Sequence, residues 1–249
     1  MLVISWFFNG PKQEFTSEPE ENPIPFSEFD TSKFVISNGI MTYEDDKYTS
    51  EFGIDVSQYQ KKIDWKKVAK AGVSFAMIRV GYRGNDVGGL FEDKYFEQNI
   101  EGALKNGIKV GVYFYTQAAS TEEALEEASF VIKRIKKYDI SMPVAFDMEY
   151  SEPSRIVDLD PSEKTAIAAA FCSAVAEKGY KPIIYGSPSW LMGELELANL
   201  TEYGTWLAHY TDETPYPFVY SMWQYSDEGR IKGIKKKVDL DIYVFKKTN

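Results

Sequence analysis

From Glu51 onward, short apolar runs alternate with amphipathic segments, and this rhythm constrains the fold more than any other feature of the chain. The runs "FGIDVS" (52–57), "SFAMIRVG" (74–81), "IKVGVYFYT" (108–116), "PVAFDMEY" (143–150) and "KPIIYGS" (181–187) read as strands. Between them, 64–72, 91–107, 120–138 and 160–179 carry helical spacing, and a short helical piece follows near 188–193. The helix ends agree. Ser120 and Glu123 match a capping box, Asp160 precedes Pro161 as an N-cap, and Gly72 and Gly107 are stop signals. Strands alternating with helices imply parallel strands covered by helices. After residue 187 the rhythm breaks. "GTWLAHY" (204–210), "FVYSMWQYS" (218–226) and "KKVDLDIYVF" (236–245) are strand-like, and the gaps between them are too short for a covering helix. Eight strands with about five helices predict an α/β fold, a TIM-like barrel with an incomplete helical coat, because closure removes the edges of an open sheet. An open doubly wound sheet is the alternative, but the glycine-rich "GYRGNDVGG" matches neither GxGxxG nor a P-loop.

Residues 1–50 differ in character and are expected to be an N-terminal tail or linker, with the barrel domain at 51–249. The stretch "KQEFTSEPEENPIPFSEFD" reads as a linker or stalk, and "KFVISNGIMTYEDDKY" as a short strand pair around a turn at "SNG". Leu2 to Phe8 is mostly apolar but far shorter than the ~20 residues of a membrane span, and it lacks a basic n-region. Two readings stay open for it, the remnant of a signal-anchor or a frayed end. The net charge of −10 is uneven: residues 1–50 hold nine acids and three lysines. So acidic a chain is not expected to bind nucleic acid through a basic surface.

The single cysteine, Cys172, excludes an intrachain disulfide and sits among Ala and Phe in a helical run, which reads as core. The single histidine, His209, excludes a multi-histidine metal site. Chemistry therefore falls to carboxylates. Side chains alternate along a strand, so Asp147 and Glu149 share one face and Met148 takes the other. They close an apolar run, where a parallel barrel keeps its reactive groups. Asp55 and Arg79 are read as ending the first two strands, Tyr113 and Tyr115 share a face of the third, and Asp239 shares a face with Asp241 on the last. Clustered carboxylates suit divalent-metal binding by oxygen ligands. They also suit glycoside hydrolysis, where burial and neighbouring anions keep one acid protonated and leave another ionised. An aromatic content of 15% fits either a sugar cleft or an aromatic-rich core.

Taken together, "GIDVSQYQKKIDW" (53–65), "SFAMIRVGYRG" (74–84), "GVYFYT" (111–116), "PVAFDMEY", "TWLAHY" (205–210), "MWQYS" (222–226) and "VDLDIY" (238–243) resemble glycoside hydrolase family twenty-five, the lysozymes or N-acetylmuramidases of bacteria and phages. The resemblance spans about 52–245. It implies a flattened barrel of eight strands and five helices that hydrolyses the β-1,4 bond between N-acetylmuramic acid and N-acetylglucosamine in peptidoglycan, without a cofactor or metal. Carried over by motif, Glu149 is the general acid and then base, and Asp147 stabilises the 2-acetamido group of the reacting sugar. Asp55 and Asp239 position water, substrate or the other acids. Arg79, Tyr113, Tyr115, Tyr150, Tyr185, Trp206 and Gln224 are substrate-binding candidates, each aromatic among them with a core reading beside it. The expected partner is the glycan strand. The expected protein is a monomer acting outside the cytoplasm, tethered to membrane or wall through its N-terminus. A wall-binding module with a dead site and a chitinase-like hydrolase are the alternatives. The chain departs from the family pattern D-V-S-x-H-Q-G at Tyr59 and Lys61, and from D-x-N at Asp241. It also lacks the short wall-binding repeats that many members carry.

Overall fold

The structure, a computed structural model, describes residues 23–248. Residues 2–8, read above as an anchor remnant or a frayed end, lie outside the described residues. No helix among those described is long and apolar enough to cross a membrane. In chain order the elements are β1 (Phe34–Ser37), β2 (Ile40–Tyr43), β3 (Tyr48–Val56), α1 (Trp65–Lys70), β4 (Phe75–Arg83), β5 (Leu90–Glu92), α2 (Phe96–Lys105), β6 (Lys109–Thr116), α3 (Thr121–Ile135), β7 (Val144–Met148), α4 (Pro161–Ala176), β8 (Pro182–Gly186), α5 (Pro188–Gly193), β9 (Gly204–Ala208), β10 (Met222–Gly229) and β11 (Val238–Lys246).

The strands run β3-β11-β10-β9-β8-β7-β6-β4, and β3 also pairs with β4, so the eight-stranded sheet closes on itself. The pairings are parallel except the two made by β11. That exception follows from chain length, since the short link from Gly229 to Val238 can make a hairpin but not a crossover. The predicted barrel is thus the observed one, and alternation along its strands builds two apolar layers. Inside the ring lie Phe75, Met77, Ala145, Ile183, Trp206 and Met222. Outside, under the helices, lie Ile54, Val112, Phe146, Met148, Leu240 and Ile242. The helix caps form largely as read. Asp160 and Glu163 complete a capping box on α4. Ser120 caps α3, whereas Glu123 bonds the Ala119 amide and Arg155 instead of closing a box.

Two expectations need correction. Arg79 does not end its strand: β4 bulges between Arg79 and Gly81 and continues to Arg83. Its upper end pairs antiparallel with Leu90–Glu92, of which Phe91 and Glu92 are read above as the start of a helix, and α2 begins only at Phe96. A local helical pattern yields here because the extended end of β4 offers unpaired backbone groups that a neighbouring strand satisfies.

The incomplete helical coat is made good from the N-terminal side. Asn38 and Gly39, both at positive φ (53° and 79°), turn β1 into β2 as a tight hairpin. Its inner face packs on the barrel beside β3 and β11, with Met41 and Tyr43 fully buried. The Phe34 ring stands edge-on to Trp223 at 5.3 Å and Phe29 to Tyr220 at 5.2 Å. The Tyr225 hydroxyl accepts from the Met41 amide and donates to the Gly39 carbonyl. Where no helix covers β10 and β11, this aromatic layer excludes water.

Candidate active site

Parallel strands deliver their C-terminal ends to one rim, and the antiparallel β11 delivers its N-terminal end there. A cleft of about 670 Å³ opens at this rim. Its walls include Asp55 from β3, Arg79 from β4, Tyr113 and Tyr115 from β6, Asp147 from β7 with Glu149 just beyond it, Tyr185 from β8, Trp206 from β9, Gln224 from β10 and Asp239 from β11. The four acids named as catalytic thus share one cavity. Of the seven substrate-binding candidates, six line it. Tyr150 lies in an adjoining recess of about 330 Å³ with Glu149, Ser187, Ser189, Trp190 and Glu194. There its hydroxyl donates to Glu194 and accepts from the buried Lys164. Tyr185 and Trp206 serve both readings, as barrel-core side chains that also floor the cleft.

The acids are organised by register. Asp239 faces Asp55 across the β3–β11 ladder. Gln224 donates from Nε2 to Asp55 Oδ2 at 2.6 Å, and the Tyr185 hydroxyl donates to Gln224 Oε1 at 2.9 Å, which fixes the amide's orientation. Asp241 lies two residues deeper, fully buried, and accepts from Trp206 Nε1 at 2.9 Å. Arg79 donates from Nε to Asp93 Oδ2 at 2.9 Å, and its guanidinium lies 5.2 Å and 5.4 Å from the ring centres of Tyr59 and Tyr82. Asp147 Oδ1 is buried with no hydrogen-bond partner.

This environment holds protons. Burial pushes Asp147 well above the usual carboxylate range and the Glu149 charge adds to it, while Arg79 pulls the other way. Burial also raises Glu149. Asp55 is raised by burial, then by Asp239 and Asp241. Asp239 is pushed up to about 6 by burial and then by Asp227. Asp241 is raised by burial and by Asp239 against the Trp206 hydrogen bond. Asp147 and Glu149 interact closely enough to titrate as a pair. The site can therefore present a carboxylic acid and a carboxylate side by side without histidine. His209 instead bonds Thr214, and Cys172 is buried in the core with its thiol pushed up by burial. Among the described residues, no three His, Cys, Asp or Glu side chains are grouped to hold a metal ion.

These raised acids link stability to pH. An acid whose pKa is higher folded than unfolded binds protons on folding, so its contribution is present below the unfolded pKa and is lost as pH rises through the folded one. Asp241 carries this cost without lining the cleft. Asp241→Asn keeps an acceptor for Trp206 and adds an amide donor toward the Asp55–Asp239 pair. It is expected to stabilise the chain by about 1–2 kcal/mol at about pH 8 and by less at about pH 5. Urea unfolding at both pH values checks this, and an unchanged or lowered midpoint at the higher pH would contradict it.

Several residues escaped the sequence reading. Asp93 anchors Arg79 and also accepts from the Gln58 and Tyr95 amides. Tyr210 stands exposed on the cleft wall, with Tyr82 and Phe91 beside it; Tyr59, read above as a departure from the family pattern, stands exposed on the same wall. Gln117, fully buried, donates to the Glu149 carbonyl at 2.7 Å and accepts from the Arg155 amide at 3.0 Å. It ties the exit of β7 to the following loop, and so holds the backbone that carries Glu149. A glutamine directly after an apolar strand was its only local signal.

The sequence profile of the glycosyl hydrolases family 25 matches residues 54–234. The chain belongs to that family. YegX, an uncharacterized protein of Escherichia coli strain CFT073, is 28% identical over 194 residues, covering 77% of this chain and 68% of its own. Lysozyme M1 of Streptomyces globisporus is 26% identical over 198 residues, covering 75% and 65%. Among solved structures, the modular autolysin LytC of Streptococcus pneumoniae is similar at a TM-score of 0.68 and 29% identity over 84% of this chain. LytC has also been solved in complex with a synthetic peptidoglycan ligand. The family 25 chain described here spans about half of the LytC chain, 52%.

Proposed function

We propose that this family 25 protein is a muramidase, hydrolysing the β-1,4 bond from N-acetylmuramic acid to N-acetylglucosamine in peptidoglycan. The observation that carries the reading is the convergence of Asp55, Asp147, Glu149 and Asp239 on one cleft floored by Tyr185 and Trp206. The lysozyme and autolysin relatives support it, as does the peptidoglycan ligand bound by LytC. Of the paired acids, only Asp147 has a cation acting on it, Arg79. Once Glu149 is protonated, its repulsion of Asp147 also disappears. Burial raises Asp147 further than Glu149. We nonetheless assign the proton to Glu149 and the negative charge to Asp147, on the family resemblance and on Arg79, with the positive charge of the reacting sugar holding Asp147 ionised. Glu149 gives its proton to the leaving glycosidic oxygen as the bond to C1 breaks. The carbonyl oxygen of the sugar's 2-acetamido group closes on C1, and Asp147 stabilises the positive charge that spreads to the amide nitrogen. Water then attacks C1, Glu149 takes its proton, and the acetamido group is released. The Asp55–Asp239 pair, held by Gln224, orients sugar and water. Such a substrate lies outside the cytoplasmic membrane, so the reading assigns the enzyme's action to the wall.

The test is end-group analysis of fragments released from purified sacculi. Reduction of the products should convert muramic acid, not glucosamine, to its alditol. New glucosamine ends, or cleavage of chitin with none of peptidoglycan, would replace this reading with another glycan hydrolase. Retention on sacculi without cleavage would make the chain a binding module.

A further inference from the structure

The chain's positive charge is concentrated in two segments that flank a groove beside the cleft. Residues 61–70 and 232–237 together carry nine lysines and one acid, Asp64, in a chain whose net charge is −10. The structure brings these distant segments together. The Asp64 amide donates to the Gly233 carbonyl at 2.9 Å, and Gln60 Nε2 donates to the Lys237 carbonyl at 3.2 Å. Gly233, at φ 108°, permits the approach, since a Cβ there would lie 2.5 Å from the Asp64 carbonyl oxygen. Between the segments runs a groove of about 800 Å³ walled by Lys61, Lys62, Lys67, Lys235 and Lys236. Gln60 lines both this groove and the cleft, so the two adjoin. All nine lysines are exposed. Lys67 pairs with Asp64 and Lys237 with Glu228, and among the described residues the other seven form no ion pair. Lys61, Lys62, Lys235 and Lys236, unpaired along one groove, repel each other, which an anion would relieve.

Lys61 adds an independent sign. Its backbone sits at φ 57° and ψ −141°, a conformation that suits glycine and strains a side chain. The chain keeps a lysine at the lip of the groove despite that strain.

We propose that this groove binds a phosphodiester-linked anionic polymer of the cell wall, and so holds the enzyme on the wall beside its cleft. The choice of a wall polymer rests on the muramidase reading; the anion-binding surface does not. The site is a groove rather than a flat face, and none of the exposed large apolar side chains belongs to either segment, which disfavours a bilayer. The acidity of the rest of the chain disfavours a nucleic-acid duplex, whose charge would lie against a broader surface.

The probe is soluble poly(glycerol phosphate), titrated against the full chain by calorimetry, with duplex DNA and anionic phospholipid vesicles as parallel arms. Binding should weaken about tenfold or more between low and moderate salt, as released counterions require. The variant Lys61→Gln/Lys62→Gln/Lys235→Gln/Lys236→Gln should lose about tenfold or more in affinity at low salt. Lys61→Gly should melt at a higher temperature than wild type and still bind the polymer more weakly, a combination that misfolding does not produce. Glu149→Gln should bind it like wild type, so a failed cleavage assay and a failed binding assay are separate results. Absence of polymer binding, equal binding by the quadruple variant, or equal or tighter binding of DNA or vesicles would each overturn the proposal.

Discussion

Glu149→Gln should lower turnover on peptidoglycan by about 10²–10⁴-fold, the usual worth of a positioned general acid. The substitution keeps the side chain's size and its hydrogen-bonding reach and removes only the transferable proton. The main-chain anchor is untouched, because Gln117 bonds the Glu149 carbonyl and not its carboxyl. Burial raises the Glu149 pKa, so in the wild type the protonated fraction and the rate should fall as pH rises through that pKa. The variant's residual rate should lack this limb. It should also be no less stable than wild type above neutral pH, since it no longer has a partly buried charge to form. Rates on sacculi across pH, read beside thermal melts, check both statements. Near wild-type clearing by the variant would remove Glu149 from the acid role, and a sharply lowered melting temperature would mean that its carboxylate is structural.

Arg83→Met should destabilise the fold by about 3–5 kcal/mol, as breaking one side of a buried ion pair does. Arg83 is 3% exposed and donates from Nε to Glu127 Oε1 at 2.7 Å, from Nη1 to the Gly88 carbonyl and from Nη2 to the Glu123 carbonyl and Glu126 Oε2. Glu127 is fully buried, and its Oε2 has no partner. Burial already raises Glu127 to about 7, against the pull of Thr116 and Arg83. Without Arg83 it rises further. A raised acid favours the fold below its unfolded pKa and loses that contribution as pH climbs, so the variant's deficit should be larger at about pH 8 than at about pH 5. Arg83→Met/Glu127→Gln should recover much of the loss. Denaturant unfolding of the three proteins at both pH values decides this. A loss below about 1 kcal/mol throughout would mean that the network is marginal to stability. The variant should also lose activity while still folded. Arg83 steadies the loop that brings Gly84, Asn85 and Asp86 to the cleft. Through Glu123, Arg155 and Gln117 the same network reaches the Glu149 backbone.

Much of the barrel was legible because strand and helix periods are local properties. Short apolar runs, amphipathic segments with capping residues and glycine stops marked all eight barrel strands and five helices, although α2 and β10 begin later than read, at Phe96 and Met222. The placement of Asp147 and Glu149 on one side of β7, with Met148 opposite among the outer apolar residues, follows from the same period. Period alone could not separate Asp239 from Asp241, which share a face of β11. Register does so. Pairing with Asp55 puts Asp239 at the rim and leaves Asp241 beneath the floor, where the Trp206 indole meets it. Nor could local pattern distinguish Leu90–Glu92 as a strand, because the extended end of β4 decides it from outside that segment.

The kind of element at each point, the face each side chain takes and the carboxylates available for chemistry were all readable from the chain, since each depends on neighbours a few residues away. Depth, partners and electrostatics came from the folded barrel. It joined Arg79 to Asp93 and Gln117 to Glu149, and set the β1–β2 hairpin over β10 and β11 in place of a helix. It also brought two lysine-rich segments to one groove. The physical reason is range: backbone periodicity is set within a turn or a pleat, whereas desolvation, ion pairing and charge crowding depend on which distant residues closure of the barrel brings together.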